Sequence, residues 1–139
     1  MYIKIKKLKN NARMPKKYDE NDAAYDLYSS DETNLLSEQT KLIHTGICME
    51  IKRGYYAKIE SRSSLASKGI FATGGVIDSG YRDEIMVILN NISPDSFKIK
   101  VGDRIAQIIF HRVEPFDLIE VGRLDKKNDR GGGLGSSGQ

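Results

Sequence analysis

Asp78 and Tyr81 stand three residues apart in GGVIDSGYRDEI, with a Ser-Gly pair between them. Gly74-Gly75 before a strand and Ser79-Gly80 after it read as a tight hairpin. The exposed backbone of such a hairpin can hydrogen-bond a flat ring, beside a carboxylate and an aromatic face. The same acid can instead satisfy its own turn amides. A second cluster is SRSSLASKG. Arg62 supplies a planar multi-donor fork, and Ser63 and Ser64 open a helical turn stopped by Gly69. These groups can bind phosphate or form an ordinary serine cap. A third cluster, AAYDLYSS, holds Asp26, which belongs to a turn or is aimed at a metal. The fourth, GDRIAQIIF, places the amide of Gln107 in an apolar strand, where it needs a ligand or a backbone partner.

Strands have to hold these groups. Period-two alternation is common along the chain, and turn residues break it often. IKIK opens the series, and GICMEI puts Ile47, Met49 and Ile51 on one face. YYAKIES is a further strand, and EIMVILNN is apolar enough for burial on both faces. DSFKIKVGDRIAQIIFHRV reads as a short strand, a Gly-Asp turn and a long strand, and FDLIEV closes the set. The pattern predicts an all-β fold, a jelly-roll-like β-sandwich or barrel with one short helix and a flexible C-terminal tail. Residues 1–121 form the β domain. The hydrophobic pattern stops after Val121, and residues 122–139, ending in DRGGGLGSSGQ, have the composition of a flexible linker.

Composition narrows the function classes. The 139 residues are 39% hydrophobic and 29% charged, which suits a globular domain, and no apolar run is long enough to span a membrane. The N-terminus lacks a secretory signal, and the single Cys48 fits a reducing compartment, so an intracellular protein, cytoplasmic or nuclear, is expected. With only His44 and His111 and no CxxC, a structural zinc site is not expected. A net charge of +3 is too mild to require nucleic acid as a partner. Lys4, Lys6, Lys7, Lys9, Arg13, Lys16 and Lys17 all precede the first acid, Asp19; they form a nucleic-acid or nuclear-import patch, or the wet face of an edge strand followed by a solvated loop.

Taken in order, AAYDL, RSSLA, GGVIDSGYR, GDRIAQ and RGGGLGSSG resemble the five motifs of the trimeric dUTPases, from Ala23 to Gly138. The resemblance implies a jelly-roll homotrimer with active sites shared between subunits. It implies hydrolysis of dUTP to dUMP and pyrophosphate with Mg²⁺, which limits uracil in DNA and supplies dUMP for dTMP synthesis. Matched by motif, Asp78 orients and deprotonates the water that attacks the α-phosphorus. Tyr81 lies against the deoxyribose and leaves no room for a 2′-hydroxyl. Uracil is read by the backbone of Gly75, Val76 and Ile77 together with Met86, and Ser79 and Gly80 complete the substrate-binding turn. Arg62, Ser63, Ser64 and Gln107 hold the phosphates, and Asp26 holds waters on Mg²⁺. In the tail, Arg130 reaches the γ-phosphate, while Leu134 and Gly135 cover the nucleotide.

Three positions depart from the family's pattern. Leu134 replaces an aromatic residue and stands one residue closer to Arg130, so weaker closure over the base is expected, with the chemistry at Asp78 intact. Ser64 stands where many members have Gly. Asp83 stands where Gly is common, and is expected to face solvent. A rival on the same scaffold, dCTP deaminase, needs a glutamate ten residues after the hairpin aspartate; that position is Ile88. A non-catalytic nucleotide-binding protein would not need every catalytic position filled, and a jelly-roll capsid protein would need none of them.

Overall fold

The computed structural model describes residues 1–126. In chain order the strands are β1 (Lys4–Lys7), β2 (Tyr25–Tyr28), β3 (Thr33–Leu35), β4 (Thr40–His44), β5 (Ile47–Glu50) and β6 (Tyr55–Glu60). The helical turn α1 (Ser63–Ala66) follows, then β7 (Ile70–Thr73), β8 (Val76–Ile77), β9 (Met86–Asn91), β10 (Phe97–Ile99) and β11 (Arg104–Arg112). They assemble as a four-stranded sheet β2-β11-β6-β8, a three-stranded sheet β4-β9-β7, and the two-stranded pairs β1-β5 and β3-β10. This is the expected all-β jelly-roll architecture with one short helix. Among the described residues no helix is long and apolar enough to cross a membrane.

β11 is the spine of the larger sheet, flanked by β2 and β6, both antiparallel to it. Its register against β2 shifts between Arg104 and Ala106. A bulge of this kind admits one extra residue, and here the consecutive residues Ile105 and Ala106 are both buried. The core joins Leu27, Ala57, Ile59, Ile77 and Ile108 of the larger sheet to Ile43, Ile70, Val87 and Leu89 of the smaller. Each such aliphatic side chain contributes about 1.5–3 kcal/mol when fully buried. In and just after β5, Ile47, Met49 and Ile51 are all buried, as the alternation predicts. The lysines of β1 are exposed on a strand with one partner, the arrangement of a charge-blunted edge.

Three expectations need correction. EIMVILNN is not buried on both faces: Val87, Leu89 and Asn91 of β9 are buried, while Met86, Ile88 and Asn90 are half-buried. One face of a three-stranded sheet packs on the core, and the other has nothing comparable over it among the described residues. FDLIEV is not a strand here; Phe116, Leu118 and Ile119 are 82%, 94% and 80% exposed. A strand needs a neighbour to take its hydrogen bonds, and none of the described residues supplies one at that point. Nor does the Ser79-Gly80 turn close a hairpin. β8 pairs with β6, and after the turn the chain crosses to the other sheet to form β9.

Candidate functional site

One group of expected residues gathers around β11. Gln107 lies opposite Asp26 on β2 and opposite Glu60 on β6. Directly opposite residues in a ladder share a face, so the three strands bring these side chains together. Gln107 Nε2 donates to the Ser61 carbonyl at 2.9 Å, which meets its need for a backbone partner. Arg62, the residue before α1, donates from Nη1 to the Arg104 carbonyl at 3.2 Å. Arg104 Nη1 in turn lies 3.9 Å from Asp26 Oδ2. No side chain caps α1, so the serine-cap reading does not hold. Ser63 and Ser64 are exposed, and their hydroxyls donate to nothing among the described residues. The result is a set of exposed and half-buried donors beside one half-buried carboxylate.

A second group surrounds the turn after β8. Gly75 adopts φ +86°, and an added Cβ would lie 2.7 Å from Ile59 Cβ. Only glycine lets the backbone approach β6 this closely, where Ile59 N–H donates to the Gly75 carbonyl at 2.8 Å. β8 then runs antiparallel to β6, Val76 opposite Lys58 and Ile77 opposite Ala57. Asp78 follows, exposed, in a turn closed by Tyr81 N–H on the Asp78 carbonyl at 3.1 Å. Its carboxylate accepts no hydrogen bond among the described residues, so it does not satisfy its own turn. Ser79 and Gly80 form the turn itself, and Met86, half-buried, starts β9 opposite His44.

The two groups do not meet within one chain. Ile77 is opposite Ala57, whereas Gln107 is opposite Glu60. Three residues of β6 span about 10 Å, and Asp78 lies one step further away. Arg62, Ser63, Ser64, Gln107 and Asp26 therefore form one cluster, and Asp78 and Tyr81 belong to another. Neither cluster lines the apolar groove of about 420 Å³ between β1, Tyr25, Tyr55 and Phe110. Arg130, Leu134 and Gly135 lie outside the described residues.

The turn carrying Asp78 is held by residues that the sequence did not single out. Arg82 Nη1 donates to the carbonyls of Ser79 at 2.6 Å and Tyr81 at 3.1 Å, while Nη2 lies 3.6 Å from Glu50. Tyr81 Oη donates to the Glu84 carbonyl at 2.8 Å. Burial pushes the Tyr81 phenol up, and the charges of Asp83 and Glu84 add to this. Asp83 is exposed, as expected. The Glu84 carboxylate accepts from Gly46 N–H at 2.8 Å and pairs with His44 Nδ1 at 3.0 Å. Burial alone would raise its pKa, but the hydrogen bonds from His44 and Gly46 and the positive charges of His44 and Lys9 hold it below the usual carboxylate range. No local pattern announces Glu84, because its partners are about forty residues away in sequence.

Among the described residues no three His, Cys, Asp or Glu side chains converge as a metal cage. Asp26 is instead a half-buried hard oxygen donor beside phosphate-type donors, with the exposed carboxylate of Glu60 on the same face. That fits Mg²⁺, which takes few protein ligands and keeps several waters.

The dUTPase family model matches residues 10–138. The deoxyuridine 5′-triphosphate nucleotidohydrolase of Swinepox virus (strain Kasza) is 43% identical over 139 residues, covering 99% of this chain and 98% of the relative. That of Nautilia profundicola is 40% identical over 142 residues, with both chains covered completely. Among solved structures, the Staphylococcus bacteriophage 80alpha dUTPase with dUpNHpp superposes with a TM-score of 0.91 at 27% identity, covering 99% of each chain. The dUTPase of phage phi11 of S. aureus, solved as a mutant that coordinates a structural Mg(II) ion, shares the fold with a TM-score of 0.84 at 23% identity. A match that takes in all but the first nine residues and the last, joined to a likeness of fold over nearly the whole chain, leaves one conclusion: the chain belongs to the dUTPase family.

Proposed function

We propose that this chain is a dUTP diphosphatase, hydrolysing dUTP to dUMP and pyrophosphate by attack of water on the α-phosphorus. The observation that carries the reading is Asp78, an exposed carboxylate without a hydrogen-bond partner among the described residues, on a rigidly held turn. In this reading Asp78 takes a proton from water as the water oxygen bonds to the α-phosphorus. The bond from that phosphorus to its bridging oxygen breaks, and pyrophosphate leaves. Placement within hydrogen-bond reach matters here before pKa. Tyr81 packs against the sugar, and the backbone of Gly75, Val76 and Ile77 with Met86 reads uracil. A site built from fixed polar groups rejects a base that leaves them unpaired.

Arg62, Ser63, Ser64 and Gln107 hold the triphosphate from the other half-site, with Asp26 holding waters of the bound cation. Mg²⁺, when bound, offsets the negative charge that develops on the phosphates. The distance between the half-sites supports a homotrimer in which one subunit's Asp78 faces another subunit's Arg62 and Gln107. The exposed Phe116, Leu118 and Ile119 support the same assembly, because an unpaired apolar segment of this kind marks a protein contact. Residues 1–121 then form the catalytic β domain. Residues 122–139 form an arm that closes over the site, with Arg130 on the γ-phosphate and Leu134 and Gly135 over the nucleotide. An intracellular location suits both the substrate and the free Cys48.

The test is release of pyrophosphate and ammonia from dUTP, dCTP, dTTP and UTP with Mg²⁺. Pyrophosphate from dUTP alone, lost in Asp78→Asn without loss of fold, is expected. Ammonia from dCTP would overturn the reading in favour of deamination, although Ile88 faces Leu42 across β4 and β9 and offers no acid.

A further inference from the structure

The Tyr81 ring is fixed through its far end. Its hydroxyl donates to the backbone carbonyl of Glu84 at 2.8 Å, so the position of the Glu84 backbone sets the position of the ring. The side chain of that same residue is anchored 38 to 40 positions away. One carboxylate oxygen accepts Gly46 N–H at 2.8 Å, and the other pairs with His44 Nδ1 at 3.0 Å. Gly46 admits no side chain. It sits at φ +71°, and an added Cβ would lie 2.8 Å from Ala12 Cβ. The next residue is locked in the same way: Ile85 N–H donates to the Ile47 carbonyl at 2.8 Å, and Thr45 Oγ1 donates to the Ile85 carbonyl. The β4–β5 turn is thus a rigid frame, and Glu84 ties the Tyr81 loop to it.

We propose that Glu84 is a positioning residue that holds Tyr81 at the depth needed to separate deoxyribose from ribose. The inference rests on the reading of Tyr81 as the residue against the sugar. Exclusion of a single hydroxyl depends on placement of the ring, since a wall that recedes slightly admits the extra atom. The geometry assigns the frame to the β4–β5 turn, the link to the Glu84 carboxylate, and the effector to the phenol. The lowered pKa of Glu84 agrees with a carboxylate held ionised by donors aimed at it. The charged and titratable groups acting on this pair and on Tyr81 are His44, Lys9 and Asp83, with Asp31 on the His44 backbone N–H.

The experiment compares kcat/KM for dUTP and UTP in the full chain and its variants. In Glu84→Ala the preference for dUTP falls about tenfold, through higher activity on UTP and a higher KM for dUTP. Glu84→Gln keeps an oxygen for Gly46 N–H and retains a preference within about threefold of the parent. His44→Ala removes one of the two anchors and produces an intermediate loss. Glu84→Ala adds no further loss in a Tyr81→Ala background. An unchanged preference in folded Glu84→Ala overturns the proposal, and if that variant does not fold, an unchanged preference in His44→Ala does so. Tyr81→Ala is the control: if it leaves the preference intact, the reading of Tyr81 fails, whereas relaxed selectivity in Tyr81→Ala alone isolates the failure to Glu84.

Discussion

Asp78 and Glu84 are six residues apart and have opposite environments. Asp78 is exposed and unengaged, so its removal has little folding energy to lose and mainly affects chemistry; surface substitutions of this kind usually stay within about 0.5 kcal/mol. Glu84 is mostly buried and takes two hydrogen bonds, so it contributes to the fold as well as to the loop. Its pKa is lower in the folded state than in the unfolded chain. The unfolded state therefore binds a proton more readily, and the ionised form stabilises the fold above the ordinary carboxylate range. That contribution disappears as pH falls through the folded pKa. In thermal melts, the parent should exceed Glu84→Gln in stability at neutral pH, and the gap should shrink as pH falls below the ordinary carboxylate range. A gap independent of pH would contradict the assignment.

At the scale of elements, Gly75 decides where β8 lies. Its positive φ and the 2.7 Å approach to Ile59 leave no room for a side chain. Gly75→Ala should cost about 1–3 kcal/mol in urea denaturation through overpacking and strain, and should shift the backbone proposed to read uracil. Stability equal to the parent would show that β8 moves freely. Much of this level was legible in sequence, because each signal was local. The alternation of Ile47, Met49 and Ile51, the helical turn stopped by Gly69, and the Gly102-Asp103 turn before a long strand all depend on near neighbours. The signals that failed concern what lies beside a strand. The apolar residues of β9 do not reveal that one face has no covering sheet among the described residues, and the alternation of FDLIEV does not reveal that none of those residues pairs with it. The Asp78 turn looked like a hairpin because the sequence shows the turn and not the crossing between sheets. The chemical residues were legible as types at familiar spacings. The braces formed by Glu84, His44, Arg82 and Glu50 were not, because three of their five contacts join distant segments.

For the whole molecule, the central feature is a constellation split in two. Strand β6 keeps the Asp78 turn apart from Arg62 and Gln107; in the proposed reading a working site draws its two halves from different copies. Closed rotational symmetry supplies that arrangement naturally, each copy giving one half to a neighbour and receiving the other half from the next. Asp78→Asn and Arg62→Ala should each abolish dUTP hydrolysis when alone. Unfolded together and refolded as a mixture, the two inactive chains should recover activity, because some sites then combine an intact Asp78 with an intact Arg62 from different subunits. A mixture that refolds into mixed oligomers and remains as inactive as either parent would contradict the shared site.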